Sequence, residues 1–312
     1  MRATGLQIPF MVMLSPTTRC NFDCFGCYSR TGSEGELTLG EMDSLMTQAG
    51  ELGIGAFIIT GGEPFLLDGL AGLLSDHGGL LFIVFSNGSL IDARMAAQIA
   101  GAGNIVPALS VEGGPGETDA RRGPGAHAQV LSAMDHLRAA GADFGFSVMV
   151  TRENAGIVGE RRFFSSMASR GCRVGFLNGY VPAGPDPRPD LVMDRNTRES
   201  FRDSVLSERR RRRMLLVHLP EDEFADGGVC MAAGRGFLHV NPHGWVEPCA
   251  FCRLASHNIR SCTLREALGS KLFAHIRETP GLLAPPVAGC VLHERRDSIL
   301  ERSDLGARST IC

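Results

Sequence analysis

Cys20-x3-Cys24-x2-Cys27 gathers three thiols onto one short stretch of chain. Thiolates so closely spaced suit a tetrahedral thiolate metal site or an iron–sulfur cluster. A [4Fe–4S] cube held by only three cysteines leaves one iron open to another ligand, whereas a zinc ribbon more often uses two Cys-x2-Cys pairs. Seven more cysteines stand at 172, 230, 249, 252, 262, 290 and 312. Disulfides are dense in small secreted domains and rare in a reducing cytosol, so ten cysteines in 312 residues point to metal rather than to cross-links.

The elements that must position these thiols are legible from residue 10 to about 180. Short apolar, β-rich runs at 10–15, 55–60, 80–86, 105–111, 143–151 and 173–180 alternate with helical stretches at 38–52, 68–76, 91–101, 126–140, 156–170 and 196–213. That alternation predicts six βα units on a parallel sheet or barrel, with chemistry at the strand ends where βα loops begin. Thr38 stands three residues before Glu41 as a capping box, and Gly141 closes the fourth helix. After residue 214 the pattern changes: 236–241 and 245–248 flank Pro242-His243-Gly244 as a hairpin, a helix spans 264–277, and the proline-rich 279–289 is a loop.

Composition narrows the classes. Apolar residues are 44% and charged residues 21%, which excludes a disordered or fibrous chain. A net charge of −3 attracts neither nucleic acid nor anionic lipid. No apolar run reaches the roughly 20 residues of a membrane span, and the N-terminus lacks a secretory signal pattern, so a cytoplasmic protein is expected. About ten residues precede the first strand.

Further motifs sit at successive strand ends: Gly61-Gly62-Glu63-Pro64, Ser86-Asn87-Gly88, Ser110-Val111-Glu112-Gly113, Asp119-x2-Arg122-Gly123 and Tyr180-Val181-Pro182-x-Gly184. Together with the cysteine triad, residues 10 to 185 resemble the radical S-adenosylmethionine (SAM) enzymes. The resemblance implies a partial (β/α)6 TIM-like barrel over 1–213, in which Cys20, Cys24 and Cys27 hold a [4Fe–4S] cluster. It places Gly61, Gly62 and Glu63 at the SAM amino group, Asn87 in the segment after the third strand, and Ser110 and Glu112 near the SAM ribose and carboxylate. Arg122 forks onto a carboxylate, and Tyr28 packs near the cofactor. Gly26 stands where the family usually has an aromatic residue. The implied chemistry is reductive SAM cleavage to a 5′-deoxyadenosyl radical, fed by an external one-electron reductant such as flavodoxin or ferredoxin.

Cys230-x13-Gly244-x4-Cys249 is similar to the opening motif of SPASM and Twitch extensions. It implies a small cysteine-rich α+β unit over 214–312 with one auxiliary [4Fe–4S] cluster. The ligands are ranked Cys230 and Cys249, then Cys290, then Cys252; Cys262 and Cys312 are read as free thiols and Cys172 as a core residue. One auxiliary cluster suits a two-electron oxidation, dehydrogenation or decarboxylation of a small metabolite. Modification of a ribosomal peptide or protein side chain is the alternative, and a non-catalytic iron–sulfur redox or sensor protein is the alternative of another class. The Arg209–Arg213 run is read as a solvated helix end, and His239, His243 and His293 as surface or satisfied histidines.

Overall fold

A computed structural model describes residues 6–29, 33–279, 281–285 and 290–310. Seven parallel strands run in sequence order: β1 (Met11–Leu14), β2 (Ala56–Ile59), β3 (Leu81–Ser86), β4 (Ile105–Ser110), β5 (Gly145–Val150), β6 (Val174–Gly179) and β7 (Leu215–Leu219). The first six lie within two residues of their expected bounds. Each is apolar toward both faces because helices pack on the outside and side chains fill the inside. Helix Leu39–Glu51 begins at the Thr38–Glu41 capping box, and Gly141 ends Ala126–Ala140 in the left-handed conformation.

β7 extends the sheet past residue 213, so the expected end of the barrel falls just ahead of a further parallel strand. The hairpin β8 (Phe237–Val240) and β9 (Trp245–Glu247) does not stand apart either. β8 pairs parallel with β1, Met11 opposite Phe237 and Leu14 opposite Val240. An uncovered β1 would present unpaired backbone groups, and β8 satisfies them. β10 (Leu254–Ala255), β11 (His257–Asn258) and β12 (Arg308–Ser309) follow; β11 continues the main sheet while β10 pairs with β12. The sheet stays open, with β7 at one edge and β11 at the other, which is the partial barrel expected.

Two expected helices are broken. The 264–277 stretch divides at Gly269 into Leu264–Leu268 and Lys271–Glu278, because Ser270 caps the second piece by accepting from the Phe273 N–H. The 156–170 stretch becomes Ala155–Val158 and Arg161–Arg170. One helix, Pro115–Arg122, lies where glycine and proline conceal the periodicity. Among the described residues no helix is long and apolar enough to cross a membrane.

Candidate active site

Cys20, Cys24 and Cys27 lie on the loop leaving β1, and neighbouring strand ends stitch that loop in place. Gly62 N–H donates to the Thr17 carbonyl at 2.9 Å, and Glu63 N–H to Arg19 at 2.8 Å. A Cβ at Gly62 would sit 1.9 Å from the Arg19 carbonyl oxygen, so glycine here lets two backbones meet. Gly62 thus makes a close backbone approach to the cysteine loop. Gly61, at φ +108°, likewise faces the Thr17 carbonyl oxygen.

The Glu63 carboxylate is buried and accepts from the Ser86 hydroxyl and the Asn87 N–H, both at 2.8 Å, and from the Phe65 N–H at 3.2 Å. Burial pushes its carboxyl upward against those bonds. Asn87 in turn donates to Asn21 at 2.9 Å, and its amide lies 4.0 Å from the Cys20 sulfur. Three successive strand ends therefore converge on the first thiol.

At the end of β4, Ser110 is buried and Glu112 is fully enclosed. Glu112 accepts from Arg121 at 2.5 Å and from Arg122 at 2.6 Å on one oxygen, and from the Met149 N–H at 3.1 Å on the other. Arg122, expected to fork onto a carboxylate, pairs with that of Glu112. Its guanidinium still reaches within 4.0 Å of the Cys24 sulfur. Burial raises the Cys24 thiol while Arg122 and Arg121 oppose that rise. Arg121, hidden in sequence by its neighbour, shares this role; adjacency to Arg122 at a helix C-terminus was its only signal.

Tyr28 follows the third cysteine and is partly buried. Its hydroxyl lies 3.0 Å from Thr60 Oγ1 and its ring packs at 5.1 Å on Phe251, between Cys249 and Cys252. Arg253 donates to the Tyr28 carbonyl. The place beside Gly26 is filled by the ring of Tyr180, 3.4 Å from where a Cβ would be.

The second thiol group is assembled from distant segments. Cys230 follows β7, Cys249 and Cys252 flank the turn after β9, and Cys290 precedes helix Val291–Glu294. The Cys249 and Cys290 thiols are hydrogen-bonded, and Cys230 and Cys252 act electrostatically on Cys249. Burial drives the Cys230 and Cys252 thiols far upward; Cys249 rises because Cys290 carries the negative charge of the pair. Cys290 is lowered by that bond and by the Leu292 and His293 N–H groups. Four thiols grouped this way, three buried and Cys290 half-buried, suit an iron–sulfur group, whose binding would deprotonate them. Among the described residues, no three potential ligands close around a single-ion position.

The remaining expectations sort cleanly. Cys172 is buried, its thiol pushed up to about 12. Cys262 bonds the Asn258 carbonyl at 3.2 Å, away from the other thiols, and Cys312 lies outside the described residues. His239 is a satisfied buried histidine between Ser15 at 2.8 Å and Glu247 at 2.6 Å. The arginine run is less solvated than expected: Arg209 pairs with Asp222, and Arg212 with Glu208 at 2.5 Å. A cleft is walled by Tyr28, next in sequence after Cys27, and Arg253, next after Cys252, together with Ser15, Thr18, Gly61 and His239.

Comparison with known proteins places this geometry in a class. The Radical SAM superfamily pattern matches residues 14–160. An AdoMet-dependent heme synthase of Oleidesulfovibrio alaskensis is 34% identical over 283 residues, covering 80% of this chain and 72% of that protein. Mycofactocin maturase MftC of Mycobacterium ulcerans is 32% identical over 174 residues; that match spans 53% of this chain and about half, 46%, of the maturase. In fold, the chain superposes on Streptococcus suis SuiB bound to S-adenosylmethionine with a TM-score of 0.73 at 16% identity, covering 87% of this chain and 68% of that one. The chain belongs to the radical SAM superfamily. It is an enzyme of the kind that works with a [4Fe–4S] cluster and SAM.

Proposed function

We propose that Cys20, Cys24 and Cys27 hold the SAM-binding [4Fe–4S] cluster, that Gly61, Gly62, Glu63, Asn87, Ser110, Glu112, Arg122 and Tyr28 shape the SAM site, and that Cys230, Cys249, Cys252 and Cys290 hold one auxiliary cluster. When bound, these groups supply a 5′-deoxyadenosyl radical that takes a substrate hydrogen and an acceptor for the remaining electron. The chain's share is to fix the loops and exclude water. Glu63 ties the second and third strand ends together, Glu112 keeps Arg121 and Arg122 beside Cys24, and Tyr28 joins the barrel mouth to the extension.

The observation that carries this reading is the direct contact between the two thiol-bearing loops, with Tyr28 after Cys27 resting on Phe251 between Cys249 and Cys252. A substrate in the cleft beside them would lie near both. The reaction proposed is oxidation, dehydrogenation or decarboxylation of a small metabolite. The likeness to the heme synthase supports it, since across most of both chains its 34% identity exceeds the 27% shared with a PqqA peptide cyclase. Peptide modification is the second reading, favoured by a 27% identity over 302 residues to a PqqA peptide cyclase of Gluconobacter oxydans. A reducing compartment such as the cytoplasm and a one-electron donor of the flavodoxin or ferredoxin type fit these thiols.

The test is anaerobic reconstitution, reduction with SAM present, and assay for 5′-deoxyadenosine. Product formation supports the site; its absence from fully loaded, reduced protein contradicts it.

A further inference from the structure

Arg253 is 8% exposed, the only arginine among the described residues so enclosed. Several other covered arginines have carboxylate partners: Arg121 and Arg122 share Glu112, Arg202 and Arg209 share Asp222, and Arg212 holds Glu208, while Arg277 bonds two backbone carbonyls. Arg253 forms no such pair among the described residues. Its one protein hydrogen bond runs to the Tyr28 carbonyl oxygen, which leaves the rest of its five-donor fork uncommitted. None of its nitrogens is a buried atom left without a partner, so the uncommitted donors are within reach of an anion entering from outside. The backbone at Arg253 is also held at φ +48°, a conformation that non-glycine residues rarely adopt and that collects at functional sites.

Arg253 lines the cleft beside Tyr28, with Thr18, Ser29, Asn241 and His243 also in its wall. The space there is about 40 Å³, room for one small polar group rather than a whole molecule. Glu247, the acid in the same wall, is already engaged by His239, Asn241 and Thr310. The thiols have other cations: Arg296 acts on Cys252, and Arg121 and Arg122 act on Cys24.

We infer that Arg253 is the anchor for a substrate carboxylate, which the cleft takes up at one end while the rest of the substrate extends along the barrel mouth. A planar fork matches a carboxylate in two parallel hydrogen bonds, and the neighbouring hydroxyls complete it. The substrate class is thus a carboxylate-bearing molecule. This rests on the proposed placement of the substrate between the two thiol groups.

The probes are propionate, succinate and N-acetylglutamate α-amide, each against propionamide, titrated by ligand-observed NMR into reconstituted protein saturated with SAM. The acids are expected to bind and propionamide is not. Arg253→Gln is expected to weaken the acids at least tenfold, with part of the loss restored by Arg253→Lys, while iron content and SAM affinity stay unchanged. Preference for the free acids supports a metabolite source, and preference for the glutamyl compound a peptide source; both keep the carboxylate anchor. Equal binding of acid and amide, no binding of any acid, or unchanged affinity in Arg253→Gln overturns it. So does a fall in SAM affinity or iron content in that variant, since Arg253 would then answer a cofactor's charge. Should Arg253→Gln fail to fold, the acid-against-amide comparison on the unaltered protein and on Arg253→Lys decides. Formation of 5′-deoxyadenosine is scored separately, so failure of the anchor and failure of the proposed reaction are distinguishable.

Discussion

The two thiol groups are built in opposite ways. Cys20, Cys24 and Cys27 share one loop, partly open, with Arg121 and Arg122 beside Cys24. Cys230, Cys249, Cys252 and Cys290 come from three separate segments and meet in a place that buries all but Cys290, which is half-buried. A thiol trio on a single loop is defined by spacing alone. A quartet drawn from distant segments exists only once β8 has docked on β1 and β9 has turned back. Openness suits a cluster that must bind a second molecule; enclosure suits one that only exchanges electrons.

Replacing Cys20, Cys24 and Cys27 by alanine carries the largest expected effect: loss of 5′-deoxyadenosine and of about four irons per chain by colorimetric assay. Replacing Cys230 and Cys249 is expected to remove a similar iron complement of about four while leaving SAM cleavage in place. Loss of both complements in either variant would mean that the two groups do not bind independently.

Glu112→Gln sharpens the open side of the comparison. It leaves two guanidinium groups without their counter-charge, and a loss of about 3–5 kcal/mol in denaturant-derived stability is expected. A change well under about 1 kcal/mol would show that the pair is solvated. Phe251→Ala, at the contact between the regions, removes one ring from Tyr28 and, Phe251 being partly buried, is expected to cost less than the roughly 3–5 kcal/mol of a fully buried ring in denaturant-derived stability. The smallest effect is expected at Cys172. With its thiol pushed up to about 12, the thiolate is scarce at pH 8 and becomes abundant only as pH approaches that value. Native protein should therefore leave Cys172 unalkylated by iodoacetamide at pH 8 in peptide mapping, and modification at the rate of an exposed thiol would contradict its burial.

The same contrast explains what the sequence disclosed. The six strands and the thiol trio were legible because each is local: an apolar run or a fixed spacing survives without tertiary knowledge. Cys252 ranked last among the auxiliary ligands because nothing local tells it from Cys262, yet the turn after β9 buries one beside Cys249 and leaves the other bonded to Asn258. Arg253 and the Tyr28–Phe251 contact were invisible because their partners lie more than two hundred residues away. The role of Gly62 was legible only as closeness, and its neighbour is the chain's own Arg19 carbonyl.

The most direct test is electron paramagnetic resonance of the reduced, reconstituted protein with and without SAM. Two cluster signals are expected, of which one shifts on SAM addition. That shifting signal should vanish in Cys24→Ala and persist in the Cys230→Ala, Cys249→Ala double variant. A single signal in the unaltered protein, or a SAM-induced shift that survives Cys24→Ala, would contradict the account.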